Sequence, residues 1–273
     1  MTGLLWTPFH YGFFTEALAM AVMISVPAAL LSCFLVLKGW SLIGDGISHA
    51  VLPGIVLAYV LNLPLLIGAF VAGMICALSA GWLDANSRVK SDTVLGVVMS
   101  GMFGLGVILY TQIDSPVHLD HILFGDIYGL TRQDFVTAAT ISAVVSGLLL
   151  LTWKDLALHA FDPVQARVAG LRVRWLHYGL LAMISASVVA MLSAVGIILS
   201  VSLMIAPGAI AFLLCRSLRA MMAVAVAIAM TAAAGGVWLA FWVDSAPAPT
   251  IVVILTAIFA LALTLRMVRT ARR

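Results

Sequence analysis

Hydrophobic positions in this chain do not alternate with polar ones. They run in long blocks separated by short polar gaps. Nine blocks stand out: Phe13 to Leu37, Ile47 to Leu61, Leu65 to Leu83, Thr93 to Tyr110, Phe135 to Trp153, Trp175 to Ala194, Gly196 to Leu214, Ala220 to Val243 and Thr250 to Met267. A helix needs about 20 mostly apolar residues to cross a bilayer. Most of the blocks meet that length; Ile47 to Leu61 is short. The pattern therefore predicts eight or nine membrane-spanning helices. Proline inside a helix removes a backbone bond and kinks it, so Pro27 is expected to bend the first helix and Pro207-Gly208 to break the seventh.

Composition sharpens this into a class. The chain has 273 residues, 64% hydrophobic and 9% charged, whereas a soluble domain carries about 25% charged residues. The fold class is an all-α polytopic membrane protein, read as one transmembrane domain over residues 1–273, without an internal repeat or a separate soluble unit. A net charge of +3 does not point to nucleic acid. Met1 to Tyr11 contains no Lys or Arg, so the positive region of a cleavable signal is missing. Cys33, Cys76 and Cys215 fall in separate apolar blocks without metal-type spacing and read as core or lipid-facing residues.

The basic residues cluster in alternate gaps, as the positive-inside rule requires. With nine spans and a cytoplasmic C-terminus, every Lys and Arg except Arg132 faces the cytoplasm. With eight spans the N-terminus changes sides, and only Lys38 moves out with it.

The candidate chemistry sits between the first two blocks. Asp45 and His49 are four residues apart in Gly44-Asp45-Gly46-Ile47-Ser48-His49-Ala50-Val51-Leu52-Pro53-Gly54, a spacing that puts them on one helical face. Ionisable residues inside a membrane are costly and mark functional sites. A carboxylate with an imidazole suits Mn²⁺, Fe²⁺ or Zn²⁺ better than Mg²⁺, Ca²⁺ or Cu⁺. Pro53 frees the carbonyl of His49 as a third oxygen donor, and Gly44, Gly46 and Gly54 would let a backbone or an ion come close. A second reading stands beside this one: Asp45 as the N-cap of a helix starting at Gly46, with His49 an interfacial side chain.

Two further stretches carry polar residues. His118, Asp120, His121 and Asp126 lie in a polar segment that reads as a surface loop or as metal ligands. The segment Lys154 to Arg174 contains Asp162, an N-cap candidate, Pro163 at the first helical position and Gly170 at the end. It predicts a short helix outside the hydrocarbon, either a solvated connector or a docking element. Sequence signatures of other activities are missing: there is no G-x-x-x-x-G-K-[ST], H-E-x-x-H or G-x-S-x-G.

With these residues in view, the chain resembles the permease subunits of ABC importers for manganese, zinc and iron. Gly44 to Gly54 is similar to the family block G-D-x-[IL]-[SA]-H-[AS]-x-[LT]-[PL]-G. Leu119 to Gly129, Phe161 to Gly170 and Gly196 to Ala209 resemble three further family blocks. The form Ser48-His49-Ala50-Val51-Leu52-Pro53-Gly54 is closer to the manganese/iron branch than to the zinc branch. The resemblance implies a type II ABC importer permease in a bacterial plasma membrane, working as a pair of identical or paralogous subunits. It implies a separate cytoplasmic ATPase docked on Asp162, Pro163, Ala166 and Gly170, with no catalysis on this chain. It also implies an extracytoplasmic metal-binding protein that delivers Mn²⁺, Fe²⁺ or Zn²⁺ as cargo, with no resident cofactor, and it puts Asp45 and His49 in the metal pathway. Two subunits would then offer two carboxylates and two imidazoles to one divalent ion, with binding weakened in acid as His49 protonates. Pro27, Pro53 and Pro207 are hinge candidates. An ATP-independent metal/proton transporter or channel is the alternative, and it would need no docking loop.

Overall fold

A computed structural model describes residues 7–40, 42–112, 127, 129 and 131–271. His118, Asp120, His121 and Asp126 lie outside the described residues. After a 3₁₀ turn, Thr7–His10, the described residues form helices α1 (Gly12–Lys38), α2 (Ile43–Ala50), α3 (Leu52–Val60), α4 (Leu65–Asn86), α5 (Ser91–Thr111), α6 (Arg132–Phe161), α7 (Pro163–Val168), α8 (Val173–Leu214), α9 (Leu218–Val243) and α10 (Pro247–Ala271). Among the described residues there is no strand, and eight helical segments are long and apolar enough to cross a membrane. That architecture follows from the long apolar blocks, because a chain in lipid must satisfy its backbone internally and a helix does so within one segment.

Burial separates the helices. α1 and α8 are the inner elements: the windows that define their spans are 72% buried, against 17% for α5 and α10. α1 packs against α6, α8 and α9, and its buried residues include Phe14, Ile24, Leu31, Phe34 and Leu35. Cys33 and Cys76 are buried and Cys215 is partly buried, all as free thiols.

The short second block begins earlier than its apolar residues suggest. Its helix starts at Ile43 and takes in Gly44 and Asp45, and α2 and α3 meet at Val51 to make one 18-residue crossing segment. The fifth block instead runs on: α6 stays helical through Lys154 and Asp155 to Phe161, so the connector to α8 is confined to residues 162–172.

The break expected at Pro207 is corrected, and Pro27 does not interrupt its helix. Pro27 and Pro207 lie inside continuous helical stretches of α1 and α8. Prolines are tolerated in membrane helices where neighbours and small adjustments satisfy the freed carbonyl. Pro53 does lie beside an interruption, at the start of α3 just after Val51. The other interruption is at Gly196, whose φ of 78° and ψ of −179° are non-helical and belong to a region open essentially to glycine alone.

Gly196 turns the chain back on itself. A straight helix of 42 residues would be ~63 Å long, about twice the ~30 Å hydrocarbon core. Contacts identify where its two ends lie. Trp40, just beyond α1, packs on His177 at the start of α8, and Lys38 meets His159 near the end of α6. Arg219 at the start of α9, just after α8 ends, stacks on Trp153 of α6. All of these mark one end of the bundle. The start of α1 and the end of α9 meet at the opposite end, where Phe241 packs on Tyr11 and Phe14. Both ends of α8 therefore lie at the same end, and its arms are separate crossings that together contain the sixth and seventh blocks. The returning arm lies along the second half of α1, with Gly208 against Ser32.

Candidate functional site

α2 is enclosed on three sides. Its buried residues are Ile43, Gly44, Gly46, Ile47, Ser48 and Ala50. A Cβ at Gly44 would lie 3.2 Å from Cβ of Met204 on α8, and one at Gly46 2.8 Å from Leu95 on α5. Ile47 packs near Gly73 on α4. The remaining side carries Asp45 and His49. The glycines of the motif thus let neighbouring helices close in behind the polar pair. None of them opens a path for an ion.

On the open side, His49 Nε2 stands 3.5 Å from Asp45 Oδ1, and each side chain is 32% exposed. The imidazole also meets Phe103 of α5 edge to face at 5.6 Å. Asp45 does not cap the helix. The N-cap is Leu42, without a side-chain cap bond, and Asp45 belongs to the first turn, its carboxylate turned to His49. Acid in the first turn and imidazole in the last also suit the helix dipole. Ser48 donates to the Gly44 carbonyl at 2.8 Å and takes no part in the open face. Pro53 has no N–H to offer the His49 carbonyl.

The donor geometry fits a shared metal ion. Two donors each ~2.1 Å from one ion at ordinary coordination angles stand ~3–3.4 Å apart, close to the 3.5 Å seen here. Among the described residues, no cluster of three or more His, Cys, Asp or Glu could hold a metal. Within one chain, the described residues therefore bring together two candidate donors, Asp45 and His49.

The predicted short helix is present as α7. Asp162 is its N-cap, accepting from the backbone N–H of Val164 and of Gln165 at 2.9 Å each, and Pro163 fills the first helical position. Gly170 sits at φ +80°. Its N–H bonds the Arg167 carbonyl, and that of Leu171 bonds the Ala166 carbonyl, the double closure that a left-handed residue makes after a helix end. Ala166 is fully buried and anchors α7, while Phe161, Val164 and Val168 are 65%, 68% and 83% exposed. α7 packs chiefly against α6 and α8.

Sequence reasoning missed a third cluster, at the same end of the bundle as α7. It brings together Lys38, Trp40, His159 and His177. The available signal was a pair of histidines in or beside apolar blocks and flanking the docking-like segment, since ionisable groups at such positions are rarely idle.

The family model described as the ABC 3 transport family matches residues 10–266. The chelated iron transport system membrane protein YfeD of Yersinia pestis is 49% identical over 94% of this chain and 86% of its own length. The manganese transport system membrane protein MntB of Synechocystis is 40% identical over 94% and 84%. Among solved structures, PsaBC from Streptococcus pneumoniae in complex with Fab superposes with a TM-score of 0.85 at 32% identity, covering 96% of this chain and 95% of that one.

Proposed function

Because this chain belongs to the ABC 3 transport family, we propose that it is the membrane-spanning permease subunit of an ATP-driven importer of divalent transition metals, with Mn²⁺ and Fe²⁺ the foremost cargo. The observation that carries the reading is the open face of α2. In a helix enclosed on its other sides by α4, α5 and α8, the polar pair Asp45 and His49 is kept at a metal-ligand separation. The named metals of its relatives, iron and manganese, agree with a carboxylate–imidazole donor set.

In this mechanism two permease subunits face each other across the pathway. Each brings one carboxylate and one imidazole, so a divalent ion meets two negative charges and four donors. The neutral imidazole and ionised carboxylate bind the ion; a proton on the imidazole competes with it. α7, capped by Asp162 and ended at Gly170, docks in a groove of a separate ATPase through Phe161, Val164 and Val168. The end of the bundle bearing Lys38, His159 and α7 is then cytoplasmic, as is the C-terminus, and the complex sits in the bacterial inner membrane. A binding protein on the other side delivers the ion.

The test is ATP-dependent accumulation of Mn²⁺ or Fe²⁺ in proteoliposomes containing the permease and its co-expressed ATPase. Asp45→Ala and His49→Ala are expected to abolish accumulation while the complex still assembles. Accumulation at the unsubstituted rate in either variant would overturn the site, and an unsubstituted complex that hydrolyses ATP without moving metal would overturn the function.

A further inference from the structure

We infer that Lys38, Trp40, His159 and His177 form a positioning relay that ties the docking helix α7 to the metal-site helix α2. The inference rests on the function proposed above and adds residues to it. α7 is bracketed in sequence by two histidines, His159 near the end of α6 and His177 near the start of α8. Both converge on the link from α1 to α2. Lys38 Nζ lies 3.1 Å from His159 Nε2 and 4.4 Å from the centre of the Trp40 ring. Trp40 in turn meets His177 edge to face at 5.4 Å, and the two imidazoles stand 6.2 Å apart. From Trp40 the chain enters α2, where Asp45 and His49 lie.

The chemistry of the contact suits a moving part. Lys38 is held by the His159 imidazole and the Trp40 ring face. The ammonium donates to Nε2, which puts the ring proton on Nδ1. That atom is buried without a hydrogen-bond partner, in a residue only 4% exposed. A buried polar atom left unpaired is costly, and a structure that merely needed stability at this point would pair it. Gly39, between the two contact residues, takes φ +69° and ends α1 there, its own N–H bonding the Val36 carbonyl and that of Trp40 the Leu35 carbonyl, so the turn at Gly39 carries Trp40 with the end of α1. A displacement of α7 moves the ends of α6 and α8 that flank it. His159 and His177 pass this to Lys38 and Trp40, and so to the start of α2.

The experiment compares the reconstituted permease–ATPase complex carrying Lys38→Met, Lys38→Arg, His159→Ala or His159→Gln, reading metal transported per ATP hydrolysed. Arg keeps a donor and Gln keeps an acceptor, so these two variants hold the contact and also check that the site tolerates substitution. The expected result is a fall of about tenfold in metal per ATP for Lys38→Met and His159→Ala, the scale of one charge-assisted hydrogen bond. ATP hydrolysis stays near the unsubstituted rate, Arg and Gln largely restore the ratio, and the double variant Lys38→Met/His159→Ala is no worse than either single one. A ratio unchanged in Lys38→Met and His159→Ala overturns the relay. So does an equal fall in hydrolysis and transport, which marks a purely structural contact, or a loss that Arg and Gln do not repair. If the unsubstituted complex moves no metal, the parent function fails, and the relay with it; coupled transport in that complex beside unchanged variants refutes the relay alone.

Discussion

Replacing Gly54 by alanine tests how the segment bearing Asp45 and His49 is held. Gly54 on α3 and Gly68 on α4 approach backbone to backbone. A Cβ at Gly54 would fall on the Gly68 carbonyl oxygen and 2.6 Å from Cβ of Ala72, and a Cβ at Gly68 would fall on the Gly54 carbonyl and 2.6 Å from Cβ of Ala58. Ordinary carbon–carbon contact is about 3.5–4.0 Å, so one added methyl must part the helices by ~1 Å. The obstacle is backbone on both sides, and no side-chain rotation can relieve it. Overpacking of this kind costs ~1–3 kcal/mol. Gly147 on α6 is the matched control, because a Cβ there meets nothing within 4 Å. Alanine at that helical position should stabilise by ~0.5–1 kcal/mol. The assay is thermal unfolding of the detergent-solubilised protein, with metal accumulation measured alongside. Gly54→Ala should melt below the unsubstituted protein and Gly147→Ala at or above it. The pair Gly54→Ala/Gly68→Ala should lose less than the sum of the single changes, because the first methyl already opens the gap for the second. A Gly54→Ala protein as stable as its parent would refute the close-packing argument.

Other expectations follow from the site and the loops. Metal binding to the assembled complex should weaken in acid, because the ion requires neutral His49 and a proton competes with it; isothermal titration with Mn²⁺ at neutral and acidic pH checks the sign, and His49→Ala should remove this pH dependence. Asp162→Ala leaves the N–H groups of Val164 and Gln165 without their cap and should destabilise α7 by ~1 kcal/mol, seen as weaker retention of the ATPase in pull-down from detergent. Gly196→Ala puts a side chain into φ 78°, ψ −179° at a cost of ~1–3 kcal/mol, so the variant should melt lower than Gly147→Ala. Gly170→Ala at φ +80° should cost ~1–2 kcal/mol and loosen ATPase retention as Asp162→Ala does.

Much of this protein is legible in its sequence, for a physical reason. Lipid forbids unpaired backbone, so long apolar blocks become helices whatever their neighbours do, and block length alone marks the crossings. The α7 helix was readable because N-cap, proline and terminal glycine act within a few residues of one another. The pair Asp45 and His49 was readable because helical spacing is local.

What the sequence left open depended on contacts between distant segments. Whether Asp45 caps a helix or faces His49 was decided by α2 starting at Ile43, upstream of the purely apolar run, with α4, α5 and α8 closing its other sides. Proline chemistry suggested a break at Pro207, yet that stretch of α8 stays helical and the chain reverses at Gly196. The cluster of Lys38, Trp40, His159 and His177 joins residues more than 120 positions apart, Lys38 with His159 and Trp40 with His177, and no local pattern encodes such a meeting. Sequence by itself determined the helices and the Asp45–His49 pairing on one helical face; the tertiary structure decided which face of α2 stays open and which residues gather at the link from α1 to α2, because packing between crossings is a property of the whole bundle.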